Sequence, residues 1–228
     1  MRAYKLEVSF YSPLILYDLI TLDALVAYAL AVKYNNRKGF FCNPQAVKQD
    51  NNIIKHELQH LITHHTPLYP IIMASYIQPV LKIEYLDSWK KRFESKYAGL
   101  ADFGKARRRV DTSSGKYRSY NMPLPAVVVQ KAFFVFIGKS DVADMINDYI
   151  VGIGKKRNQG FGWIRDMKLS NADYTCFDIA RMRPVPEEIA KKHDIKGMLK
   201  YCAWQSPYWL RDNMCKCIVP AEPGRGER

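Results

Sequence analysis

From Lys5 to Phe10 polar and apolar residues alternate one for one, Lys5, Glu7 and Ser9 against Leu6, Val8 and Phe10. A period of two predicts a half-buried strand, and Ser12-Pro13 ends it. Leu22, Leu25, Val26, Ala29 and Val32 then recur at helical spacing behind Thr21, a suitable N-cap, with Asp23 in the first turn. This helix is apolar nearly all round, so it should be well buried. A second helical pattern runs from about Asn52 to His65, with Ile54, Leu58, Leu61 and Ile62 on one face. Beyond Tyr69-Pro70, residues Ile71 to Ile77 read as a strand and the charged stretch from Glu84 to Tyr97 as helical. Residues 98–121 carry glycines, a basic run and Thr112-Ser113-Ser114-Gly115, the composition of an exposed excursion. Ala126 to Gly138, rich in Val and Phe, predicts a buried strand. A short helix follows, opened by Ser140 and Asp141, with Val142, Met145, Ile146, Tyr149 and Ile150 in register. After a Gly-rich segment the last strand is expected from about Phe161 to Leu169.

Stripped of insertions, this order is β-α-β-β-α-β, which predicts an α+β, ferredoxin-like (RRM-like) domain over residues 1–175. Residues 98–121 would form a protruding basic hairpin. From Asp178 onward periodicity fades and Pro184, Pro186, Pro207 and Pro220 intervene, so residues 176–228 are expected to be an irregular appendage packed on the domain.

Charge then narrows the function. Among 228 residues, 35 Lys and Arg stand against 22 Asp and Glu, a net charge of +13. Self-repulsion of that size points to a polyanionic partner, most simply nucleic acid. A membrane surface would require a basic amphipathic helix, and the pattern contains none. The N-terminus lacks the basic, apolar and small-residue regions of a leader, and no apolar stretch is long enough to span a bilayer. Five cysteines, with only Cys215 and Cys217 close together, make neither a disulfide framework nor a zinc site. A soluble cytoplasmic protein with reduced thiols and no cofactor is expected.

The most specific motif is Gly152-Ile153-Gly154-Lys155-Lys156-Arg157-Asn158-Gln159-Gly160-Phe161-Gly162. Its glycines admit positive φ and close approach of another molecule, exposed N–H groups can cup an anion, and three consecutive cations surround that cup. It is neither a P-loop nor a dinucleotide fingerprint. The second feature is the basic excursion, with Lys105, Arg107, Arg108, Arg109, Lys116 and Arg118 interleaved with Tyr117 and Tyr120. Cations for phosphates beside rings for unstacked bases are what single-stranded nucleic acid requires. His56-Glu57-Leu58-Gln59-His60 is a literal H-E-x-x-H, which on a helix can hold zinc. Thr63 and Thr66 stand where an extended zinc motif needs Gly and His, and the histidines lie opposite the apolar stripe. A solvated polar face is the better reading, and no metal is expected.

The Gly-rich segment resembles the G-x-G-x5-G-F-G loop of the RAMP superfamily of CRISPR effector proteins. Ser12-Pro13-Leu14 and the stretch Ile20 to Tyr28 are similar to their first strand and helix. Gly115 to Leu124, Ser206-Pro207-Tyr208-Trp209 and Cys217-Ile218-Val219-Pro220 look most like the type IV member, the subunit that caps the five-prime handle of the guide RNA (crRNA). The resemblance runs from Ser12 to about Val219. It implies an RRM-like domain holding crRNA, with Ser12 joining the loop among the RNA-contacting residues. The excursion would be a thumb that wedges into the guide–target duplex. Partners would be crRNA, target DNA in the assembled complex, the backbone and large subunits, and a helicase recruited to the assembly. Some relatives cut precursor RNA through a histidine; here the candidates are the cluster His56 to His65 and His193, none of them in the loop or after the first strand. A non-catalytic subunit is therefore expected, with a crRNA-processing endoribonuclease as the alternative and a zinc hydrolase using His56, Glu57 and His60 behind it.

Overall fold

The structure is a computed structural model and describes residues 2–16, 20–34, 51–63, 66–94, 96, 100, 111–206, 208 and 211–220. Its first unit is a four-stranded antiparallel sheet ordered β2-β3-β1-β4, built from β1 (Arg2–Phe10), β2 (Gln78–Lys91), β3 (Tyr120–Gly138) and β4 (Ile164–Asn171). Helices α1 (Leu22–Tyr34) and α2 (Asn51–Leu61) lie between β1 and β2 in the chain, and α3 (Asp141–Tyr149) lies between β3 and β4. Leu6, Val8 and Phe10 of β1 and Ala132, Phe134 and Phe136 of β3 meet Val26, Leu30, Leu58, Val142 and Ile146 in one core. Alternation in the strands and helical spacing in α1 to α3 thus converge on the same buried layer.

Two segments differ from their sequence expectation. Residues 71–77 are extended but form no strand, because their backbone partners are shared among several neighbours. Met73 N–H donates to Thr63 O, Ser75 N–H to Val135 O, Tyr76 N–H to Met182 O and Ile77 N–H to Ile20 O. The stretch expected to be helical from Glu84 belongs to β2, paired residue for residue with β3 from Gln78↔Phe133 to Lys91↔Tyr120. Pairing with an apolar partner strand overrides the local charge pattern. Since β1 pairs with β3 only over Lys131 to Gly138 and its flanks, the stretch of β3 from Tyr120 to Gln130 has β2 alone beside it among the described residues. This two-stranded ribbon extends about 35 Å at ~3.4 Å per residue. Strand β4 also starts later than expected, at Ile164, because Phe161 and Gly162 belong to the turn before it.

The C-terminal region is not irregular. It contains α4 (Cys176–Ala180), β5 (Val185–Pro186), α5 (Glu187–Lys192), β6 (Met198–Ala203) and β7 (Met214–Val219), with a three-stranded sheet ordered β5-β7-β6. Its strands are too short, and β6 too exposed on both faces, for a period to register in the sequence. Ala180, Val185, Ala190 and Ile195 pack with Leu68, Ile71 and Met73 in a second small core. Cys215 and Cys217 have Sγ atoms 3.5 Å apart, and bonding to Cys202 and burial push the Cys217 thiol up.

A buried polar clasp ties this unit to α1. The Arg183 guanidinium, fully buried, lies 3.7 Å from the Asp23 carboxylate and donates to the carbonyls of Ile72, Ala74 (3.1 Å) and Trp204 (2.6 Å). Tyr208 Oη donates to Asp23 at 3.0 Å and accepts from Thr21 Oγ1 at 2.7 Å. Burial, and then the Asp23 charge, push the Tyr208 phenol well up. Thr21, which directly precedes α1, and Asp23, in its first turn, are also members of this clasp. Four polar side chains that no periodicity would select, Thr21, Asp23, Arg183 and Tyr208, hold the two units together.

Candidate nucleic-acid interface

The Gly-rich loop joins α3 to β4 and is stitched to the segment that follows β1. Lys155 N–H donates to Ile15 O at 3.1 Å, Gly162 N–H to Pro13 O at 2.8 Å, and Trp163 N–H to Ser12 Oγ at 3.0 Å. Inside the loop Ile153 N–H reaches Gly162 O at 2.9 Å, and residues Arg157–Gln159 make one 3-10 turn. Lys156, Gly154, Gly160 and Gly162 all take positive φ. Three of the four glycines are approached by this chain itself. An added Cβ would press on Ile15 O at 2.7 Å from Gly154, on Gly162 O at 3.0 Å from Gly152, and would collide with Ile153 O from Gly162. Gly160 alone faces open space. The glycines expected to admit a ligand's backbone therefore mostly admit the loop's own.

This changes how an anion could be held. The N–H groups of Lys155, Gln159, Gly160, Phe161 and Gly162 donate to carbonyls of this chain, so they do not form the expected open cup. What the loop presents outward is side chains, with Lys155, Arg157, Asn158 and Gln159 exposed and Lys156 half-buried. Lys156 Nζ lies 6.0 Å from the Phe161 ring centroid, and the Arg157 guanidinium lies 5.3 Å from that of Tyr28 while reaching Gly152 O at 3.3 Å. Ser12, expected among the RNA contacts, accepts from Trp163 and so fixes the loop's base. Sequence reasoning missed Trp163 and Tyr11, which are 51% and 73% exposed on either side of this junction. Their positions, one after Gly162 and one before Ser12, were the available signal.

The excursion is described in part. Lys105, Arg107, Arg108 and Arg109 lie outside the described residues. Lys116, Tyr117, Arg118 and Tyr120 stand at the far end of the β2–β3 ribbon, where Lys91 Nζ donates to Lys116 O at 2.6 Å. Tyr117 packs edge-on against Phe93 with centroids 5.4 Å apart. Asp111 is held well below the usual carboxylate range by hydroxyl and backbone donors from Ser113 and Ser114, which closes a local turn. The described part of the excursion thus stands at the end of the ribbon, whereas the loop is stitched to residues 12–15 after β1.

His56 and His60 stack at 6.0 Å on the exposed side of α2, away from Ile54 and Leu58. His64 and His65 lie outside the described residues, and His193 is tilted against Phe177 at 5.8 Å. Among the described residues no group of three or more His, Cys, Asp or Glu is arranged to hold a metal ion, and no helix is long and apolar enough to cross a membrane.

The family model described as CRISPR type IV associated protein Csf3 matches residues 2–220. The chain is similar to a chain in the cryo-EM structure of the Type III-B Cmr-beta bound to cognate target RNA, with 8% identity and a TM-score of 0.34 over 75% of this chain. It spans 61% of the length of that chain. It is also similar to Cmr6 from Pyrococcus furiosus, with 12% identity, a TM-score of 0.29, and 75% of this chain and 97% of that one covered. No curated protein sequence matches it.

Proposed function

Because the chain belongs to the family of CRISPR type IV associated protein Csf3, and so is a CRISPR effector subunit, we propose that it binds crRNA and caps its five-prime handle through the 152–162 loop. The observation that carries this reading is the loop's construction: a backbone locked onto residues 12–15 presents Lys155, Lys156 and Arg157 in a fixed arrangement. Preset cations lose less freedom on meeting a phosphate chain than cations on a loose turn. The sheet order β4-β1-β3-β2, with α1 and α3 in the crossovers, supports reading the first unit as the ferredoxin-like domain. On this reading the ribbon carries the basic excursion to the guide–target boundary, where it engages target DNA. The backbone and large subunits, and a helicase, abut the assembled particle.

The subunit holds RNA and does not cut it. Its described histidines stand on α2 and at the end of α5, whereas the side chains gathered around the loop are Ser12, Tyr28 and Trp163, none of which is a ready general base at neutral pH.

Salt dependence of binding to a single-stranded RNA tests the loop directly. Each phosphate contact contributes about −0.7 to the slope of log K against log salt. Replacing Lys155, Lys156 and Arg157 together by alanine should flatten that slope by about 2. An unchanged slope would remove the loop from the interface.

A further inference from the structure

The face of the four-stranded sheet away from the helices carries a groove of about 480 Å³, a size typical of small-ligand sites. Its floor is one row across three strands: Lys131 of β3, Ser9 of β1 and Asp166 of β4 stand opposite one another. Ser9, the smallest side chain of the row, leaves a trough between longer neighbours. A register shift at Ser9/Phe10 lets both Arg165 and Asp166 emerge exposed although they are consecutive in β4. Bulges commonly re-aim a side chain in this way beside functional sites. Lys131, Arg165 and Lys168 line the groove against the single carboxylate of Asp166. Nearby Glu7 is already paired with Lys5 at 2.6 Å.

Tyr11 closes one end of the groove. Its ring is 73% exposed, with the Arg165 guanidinium 5.9 Å from the centroid. The same residue is bonded to the base of the Gly-rich loop, since Tyr11 N–H donates to Trp163 O at 2.9 Å and Trp163 Nε1–H donates to Arg157 O at 3.0 Å. The groove therefore continues from the loop's cations without a break in the hydrogen-bond network.

We propose that this groove is a second RNA site, seating one unpaired nucleotide next to those held by the loop. The base stacks on Tyr11, its phosphate meets Lys131 and Lys168, and the Asp166 carboxylate accepts from an amino or imino group on the base edge. A cation pair takes the phosphate and one acceptor reads the base, a division of labour usual in single-strand recognition. The assignment rests on the reading that the loop holds RNA, and it is tested so that the two can fail separately.

The experiment titrates the full chain with a labelled, mixed-sequence single-stranded RNA oligonucleotide, by fluorescence anisotropy over a range of salt. Tyr11→Ala should weaken binding about tenfold at every salt concentration with the slope unchanged, because stacking is not a counterion effect. Tyr11→Phe should bind like the wild type, and joint Lys131→Ala and Lys168→Ala should flatten the slope by about 1.4. Wild-type affinity in Tyr11→Ala, with binding lost in the triple loop variant, would overturn the groove and leave the loop standing. Weakened binding in Tyr11→Ala, with the triple loop variant unaffected, would uphold the groove and overturn the loop.

Discussion

At Gly154 an added Cβ would stand 2.7 Å from Ile15 O and 2.9 Å from Leu14 Cδ1, at a φ of +89°, whereas at Gly160, with φ of +88°, nothing lies within 4 Å. Backbone strain is common to the two; crowding is not. Gly154→Ala and Gly162→Ala should therefore lower unfolding free energy by about 2–5 kcal/mol, from strain plus overpacking. Gly160→Ala should cost only about 1–2 kcal/mol. Urea denaturation checks the ranking. The sequence shows four glycines as one motif; the packing of Leu14, Ile15, Ile153 and Gly162 divides the three crowded ones from Gly160. The clasp makes a second residue-scale prediction. Asp23→Ala would leave Arg183 buried beside no carboxylate and should cost about 3–5 kcal/mol. Tyr208→Phe, which removes only the hydroxyl shared with Asp23 and Thr21, should cost about 1–3 kcal/mol. Equal stability of Asp23→Ala and wild type would show that the ion pair does not hold the units together.

Elements are legible in proportion to how much of their partnering is local or one-sided. Strand β1 shows a clean period of two because helices cover one face and the groove lies on the other. Helix α3 shows its spacing because it buries one stripe, Val142 and Ile146, whereas α1 is buried nearly all round and shows as a continuous apolar run. Strand β2 reads wrongly as helical because its register is supplied by β3, which joins it from across the long excursion. The C-terminal sheet escapes notice for a related reason: β5 is two residues long and is defined by Ile218 and Cys217 of β7. The ribbon yields the prediction at this scale. Among the described residues its tip contributes nothing to either core, so joining residue 94 to residue 118 by a short Gly-Ser link should leave the domain folded, with its melting temperature within a few degrees. The shortened protein should still bind RNA through the loop, and the reconstituted effector should lose affinity for target DNA. Full target affinity would sink the ribbon's role there.

For the whole molecule, the fold gathers cations from a chain of net charge +13 at the loop, at the sheet groove that adjoins it, and at the ribbon's end. Composition points to a polyanionic partner but not to this arrangement, which depends on β1 placing Ser9 in the groove's floor and on Tyr11 joining the groove to the loop. If the loop caps a guide RNA, the most direct measurement is the guide content of the assembled particle. The chain would be co-expressed with the other effector subunits and a guide-encoding array, purified, and the bound RNA sequenced and quantified per particle. Wild-type protein should carry one defined handle-bearing guide, and replacing Lys155, Lys156 and Arg157 by alanine should strip that guide or leave its five-prime end frayed. A full complement of guides with intact, protected handles in the triple variant would contradict the claim that this loop caps the guide.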